Sequence, residues 1–212
     1  MVLVLAAAAL GFLFGKTDAT TTTSAATTSS VPEQTWTAVW PRPNAAYATP
    51  TAVARAFATQ FLAMRAPIVG PFQQGDSRSG EVGVTSYAGG PETTVLVRQL
   101  TSSNAWWVLG SSTPDITISQ PRALTTVGSN FVIAGESTSY EAVVNVTLWS
   151  DSLATPLLRT TVMGGSMGVR GHFQKTLSVT GHRGLATLVM YLISAKDGSV
   201  VAASTSRFRL GA

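Results

Sequence analysis

The chain has 212 residues, which at roughly 150 residues per domain allows one or two domains with a core of useful size. Charged residues make up 11% of it, against about 25% in an ordinary soluble domain. Having no Cys and two His, it excludes disulfide frameworks, thiolate zinc sites, iron–sulfur clusters and cysteine nucleophiles, and no metal or cofactor is expected. The formal charge of +4 comes from 14 Lys and Arg against 10 acids spread along the chain, and no nucleic-acid-binding motif accompanies it, so nucleic acid is not an expected partner.

Residues 2–15, VLVLAAAALGFLFG, are uncharged and mostly apolar and end at Lys16. They are short of the roughly 20 residues of a spanning helix and suit the apolar region of a signal peptide. Basic residues upstream would make the same run a signal anchor, so residues 1–16 are a signal or anchor segment, cleaved or retained. In residues 17–30, ten of fourteen residues are Thr or Ser, too few large apolar groups to offset the entropy of ordering. Residues 17–48 therefore read as a linker, with Trp36, Trp40 and Tyr47 able to dock onto the folded part or face a bilayer interface. As a flexible coil this linker spans about 30 Å.

Thr49-Pro50 is a helix opening, a hydroxyl cap followed by a proline tolerated in the first turn. Val53, Phe57, Phe61 and Met64 then recur at helical spacing up to Ala66-Pro67, an amphipathic helix of about four turns. Gly70-Pro71 and Gly75-Asp76 read as turns. Strands follow at residues 81–87, 93–100 and 105–109, the first two joined by the Gly-rich stretch 88–91. Trp106 and Trp107 fall on opposite faces of their strand. One helix followed by an antiparallel sheet makes residues 49–113 a small α+β domain.

From residue 115 to 211 no helical period appears. Seven short strands are expected, at residues 116–118, 130–135, 143–149, 157–163, 172–179, 186–194 and 204–210, with a tight turn at Lys196-Asp197-Gly198. Val144, Val146 and Leu148 alternate with Asn145, Thr147 and Trp149, and Phe173, Leu177 and Val179 line one face. Seven short strands separated by turn signals point to an immunoglobulin-like β-sandwich, so the fold class is mainly β.

The order of ITISQP (116–121), FVIAGE (131–136), EAVVNV (141–146), Gly164-Gly165 with Gly171-His172-Phe173, and SAKDGS (194–199) resembles the bacterial spore germination immunoglobulin-like domain over nearly all of residues 115–211. GPFQQGDSRSGEV (70–82), TTVLVRQL (93–100) and WWVLG (106–110) are similar to a companion region of actinobacterial exported proteins. The resemblance implies a cell-envelope accessory module with no family catalytic residues to carry over. Residues 153–156 depart from it, a Gly-containing hairpin turn being more usual there.

Gly164-Gly165-Ser166-Met167-Gly168 matches the G-x-S-x-G nucleophile elbow, and a serine hydrolase centred on Ser166 is the alternative reading, although the residues that follow are strand-like rather than helical. His172 and His182 have no acid nearby at ligand spacing, and Glu136 and Glu141 flank a turn. Arg207 and Arg209 alternate with Phe208 and Leu210, which puts both guanidinium groups on the solvent face. With Arg170, Lys175 and Arg183 they form a candidate basic patch for lipid or wall polymer. Eight Lys and Arg less five acids give residues 115–211 a charge of +3. The expectation is an extracytoplasmic, membrane-anchored or secreted binding module. Tyr140, Trp149, Arg170, Arg207 and Arg209 are its candidate contact residues, and an envelope protein or wall polymer is its partner.

Overall fold

The computed structural model describes residues 37–41, 45–100 and 104–211. The signal or anchor run 1–16, the Thr/Ser tract and Trp36 lie outside these residues. Among the described residues no helix is long and apolar enough to cross a membrane.

Helix α1 (Pro50–Ala56) starts as the sequence expects: Thr49 Oγ1 accepts the Ala52 N–H at 3.2 Å. The expected four turns are not reached. The helix widens into a π turn over Phe57–Phe61 and stops where Ala63 enters the left-handed region (φ 60°). The wider turn still keeps Phe57 and Phe61 stacked, ring centroids 5.3 Å apart. The helix packs on an antiparallel sheet of β1 (Ile68–Gln74), β2 (Ser79–Thr85), β3 (Glu92–Gln99) and β4 (Trp106–Ser112), in that order. Strand β1 corrects the turn expected at Gly70-Pro71. Its pairing with β2 shifts between Val69 and Phe72, a bulge on an edge strand where a proline costs no ladder bond. Val82, Val84, Val95, Val97, Trp106 and Val108 face the helix. Residues 37–41 lie along β4, with mutual backbone bonds between Val108 and Trp40 and from Val39 to Val108. Trp40 and Tyr47 are packed on this core, so the end of the expected linker is docked.

The remaining strands close a β-sandwich. One sheet is β5 (Ile116–Gln120), β7 (Asn130–Ser139) and β11 (Gly171–Ser178), with the two-residue β10 (Gly165–Ser166) parallel to the end of β7. The other runs β6 (Thr126–Val127), β13 (Val200–Leu210), β12 (Gly184–Ile193), β8 (Val143–Ser150) and β9 (Leu158–Met163). All seven expected strands are present; β6 and β10 are additional and too short for any periodicity to show. Between the sheets lie Ile133, Val144, Val146, Leu148, Leu188 and Phe208, with the expected Phe173, Leu177 and Val179.

The sheet containing β13, β12 and β8 is covered on both faces. Alternate residues of β12 and β8 point into the sandwich, whereas Val189, Tyr191 and Trp149 point into the core built on helix α1. At the β12–β13 pairing the register shifts, Leu192 opposing Ala202 and Ile193 opposing Val200, so Val201 is an extra residue. Val201 turns into the sandwich, while Val200 and Ala203 pack with the helix core.

Past its pairing with β12, the other edge of β13 is buried and needs partners for its backbone groups. Thr93 Oγ1 accepts the Ala203 N–H at 3.1 Å, and Ser111 Oγ donates to the Ala203 carbonyl at 3.2 Å. Thr205 Oγ1 accepts the Ser111 N–H at 2.8 Å, and Ser204 Oγ accepts the Thr113 N–H at 3.0 Å while donating to the Ile116 carbonyl at 2.7 Å. Thr93, Ser111, Thr113 and Ser204 are all buried. Replacing Thr93 by the isosteric Val leaves the Ala203 N–H buried without its acceptor. Thr93→Val is expected to lower unfolding free energy by about 1–3 kcal/mol, measured as a lower urea midpoint at unchanged slope; an unchanged midpoint counts against the seam.

Candidate functional site

Two surface regions carry chemistry beyond packing. The first is the end of the sandwich where β7 and β8 turn and residues 164–171 cross. Gly165 permits this crossing, because a Cβ there would come within 2.0 Å of the Val169 carbonyl oxygen and 2.3 Å of the Gly171 nitrogen. Strand β10 pairs with Thr138 and Ser139, and Met167 N–H then donates to the Ser139 carbonyl at 3.0 Å. Met167 holds φ 52° and Gly168 φ 80°, which turns the chain tightly and leaves the Met167 side chain in solvent. Met163 pairs with Val143 beside it.

Six of the large apolar side chains exposed here are Tyr87, Tyr140, Met163, Met167, Val169 and Ile193, with Tyr140 73% and Met167 69% exposed. A cleft of about 810 Å³ opens among Tyr87, Tyr140, Ile193 and the 194–199 turn. At its rim the Ser199 hydroxyl and amide, with the Ser194 hydroxyl, hold the Asp197 carboxyl below the usual carboxylate range.

The second region is a cleft of about 850 Å³ on the outer face of the first sheet, bounded by β13 and residues 123–124. Arg78 and Arg98 stand on it. They are twenty residues apart in the chain, but the β2–β3 register pairs Ser79 with Arg98. Nearby, the Arg78 amide, the Ser79 side chain and, more weakly, the Arg98 charge keep the Asp76 carboxyl low.

The candidate contact residues separate. Tyr140 is on the apolar end, and Arg209 is exposed near the opposite end of β13. Arg170 is exposed and donates to the Pro114 carbonyl and, at 3.5 Å, to Thr117 Oγ1. Arg207 is not on the solvent face. It is 4% exposed, because its face of β13 lies against the helix-bearing half of the molecule rather than water. Its guanidinium forks onto Asp151 at 3.0 and 2.5 Å and donates to Thr187 at 3.1 Å. Trp149 is also turned inward, half-buried with its ring 5.8 Å from that of Phe61. Because Lys175 reaches Thr160 and Thr161 on β9, the expected basic patch is dispersed over separate elements.

Ser166 lies in β10, and the chain continues into β11 rather than a helix, so the nucleophile-elbow context is missing. His172 does have an acid partner: Glu136 is directly opposite it across β7 and β11, at 3.2 Å. Sequence separation hid that pair. Both side chains are well exposed, and an exposed pair of this kind contributes little. Among the described residues no group of three His, Asp or Glu could hold a metal ion.

No curated protein and no solved structure matches the chain. The family match begins at the first strand of the sandwich and ends one residue before β13, which nonetheless completes the same core. Over residues 115–199 the chain matches the immunoglobulin-like domain of bacterial spore germination.

Proposed function

We propose that this protein is a non-catalytic recognition module of the cell envelope, tethered outside the membrane by its N-terminal segment and taking a protein partner at the apolar end of the sandwich. The single observation carrying this reading is the cluster of Tyr140, Met167, Val169 and Met163 around one rigid loop crossing. Exposed apolar clusters of this kind mark contact surfaces, and Tyr and Met are enriched in them because one offers a rigid amphipathic face and the other an adaptable one. Charges at this end are few, with Glu141, Lys196 and Asp197 at the cleft margin. A lipid or wall-polymer surface would call for a concentrated cationic patch, and Arg170, Lys175, Arg207 and Arg209 do not gather into one. The apolar run 2–15 and the Thr/Ser tract after it support export and tethering.

The test uses the full-length chain in bacterial cells with a photo-crosslinking residue at Met167 or, as a control at the far end of β13, at Arg209. A discrete adduct is expected from position 167, lost on Tyr140→Asp and absent from position 209. Equal adducts from both positions would contradict the assignment. In spheroplasts the folded part is expected to be digested by external protease; protection in intact spheroplasts would overturn the location.

A further inference from the structure

We infer that the cleft on the outer face of the first sheet is a second binding site, separate from the apolar end, for a short acidic peptide segment that carries an aliphatic side chain next to a carboxylate. At about 850 Å³ it falls in the size range of pockets that enclose a ligand of a few residues. Arg78 and Arg98 line it together with Arg207, whose charge is matched by Asp151, and no Asp or Glu is among the described lining residues. Arg98 is exposed and, among the described residues, forms no salt bridge, and its planar fork suits a carboxylate taken by two parallel hydrogen bonds. Asp76 sits on the β1–β2 turn outside the lining, is engaged by the Arg78 amide at 2.7 Å and feels the Arg98 charge only weakly. The molecule already shows the pairing chemistry at the cleft floor, where Arg207 forks onto Asp151.

The rest of the lining suits a peptide better than a bare anion. Leu96 and Leu124 are 38% and 51% exposed, and with Leu109 they give an aliphatic wall beside Arg98. Gly110 forms part of the floor, where a Cβ would stand 3.3 Å from Thr205 Oγ1, so its absence keeps the floor low between the two sheets. The cleft is concave, a shape that suits an extended segment better than a flat membrane or a broad polymer face.

The test is calorimetric titration of the full-length chain, held in a non-ionic detergent, with the C-terminally amidated peptide acetyl-Leu-Glu-Leu-Glu-amide. Saturable one-to-one binding is expected, weakened by salt, reduced about tenfold or more by Arg98→Glu and by Leu124→Asp, and abolished when both Glu of the peptide are replaced by Gln. Both substituted residues are exposed on the folded chain, and an unchanged thermal transition in each variant confirms folding. Absence of saturable binding, equal affinity for the Gln peptide, or equal affinity in Arg98→Glu would overturn the proposal. Inorganic phosphate competing as strongly as the peptide would overturn it as well, reducing the cleft to a simple anion trap.

Discussion

The fold turns on the buried edge of β13. A strand that stops pairing inside a protein exposes N–H and C=O groups to an environment without water, and each unmet group costs roughly as much as several ordinary hydrogen bonds contribute net. Here the Ala203 amide and carbonyl are met by the hydroxyls of Thr93 and Ser111. Both come from the helix-bearing half of the chain. That half is therefore hydrogen-bonded to the sandwich, not merely packed on it, and Thr113, Ser204 and Thr205 continue the same seam.

With the seam closed, β8, β12 and β13 form a layer covered on both sides. This explains a composition that otherwise looks unbalanced. A domain with one wet face per strand alternates apolar with charged residues, and this chain has 11% charged residues. Its alternate positions are filled by Thr, Ser, Ala and Tyr, which bond to backbone or pack on the helix. Thr147, Thr187, Ser150 and Ser206 are all buried on these strands. Arg207 is the exception, and its charge is matched by Asp151 in the same corner. The covered layer also fixes what is left for recognition: the loop end of the sandwich and the corner cleft, each held by strands rather than by long loops.

Much of this was readable from residue order. The alternation of Val144, Val146 and Leu148 and the spacing of Phe173, Leu177 and Val179 report strand faces directly, and all six side chains are found in the core. Alternation cannot say what lies on the other face. Trp149 and Arg207 occupy the non-core side of the sandwich, which sequence equates with solvent, and both are covered there by a layer contributed from elsewhere. Pro71 suggested a turn because the edge position and bulge that accommodate it are tertiary facts. The same limit hid the site residues. His172 meets Glu136, and Arg78 in the β1–β2 turn approaches Arg98, through strand register, for which a single sequence offers no signal.

Residue-resolved hydrogen exchange of the full-length protein at increasing denaturant tests the coupling between the two halves most directly. If the Thr93–Ala203–Ser111 seam joins them, amides of β3 and β4 such as Val97 and Val108 exchange with the same opening free energy and denaturant dependence as Val189 and Ala203. The two sets merge into a single cooperative unit. If the β3 and β4 amides open at distinctly lower free energy while β12 and β13 stay protected, the halves are independent and the seam does not govern the fold.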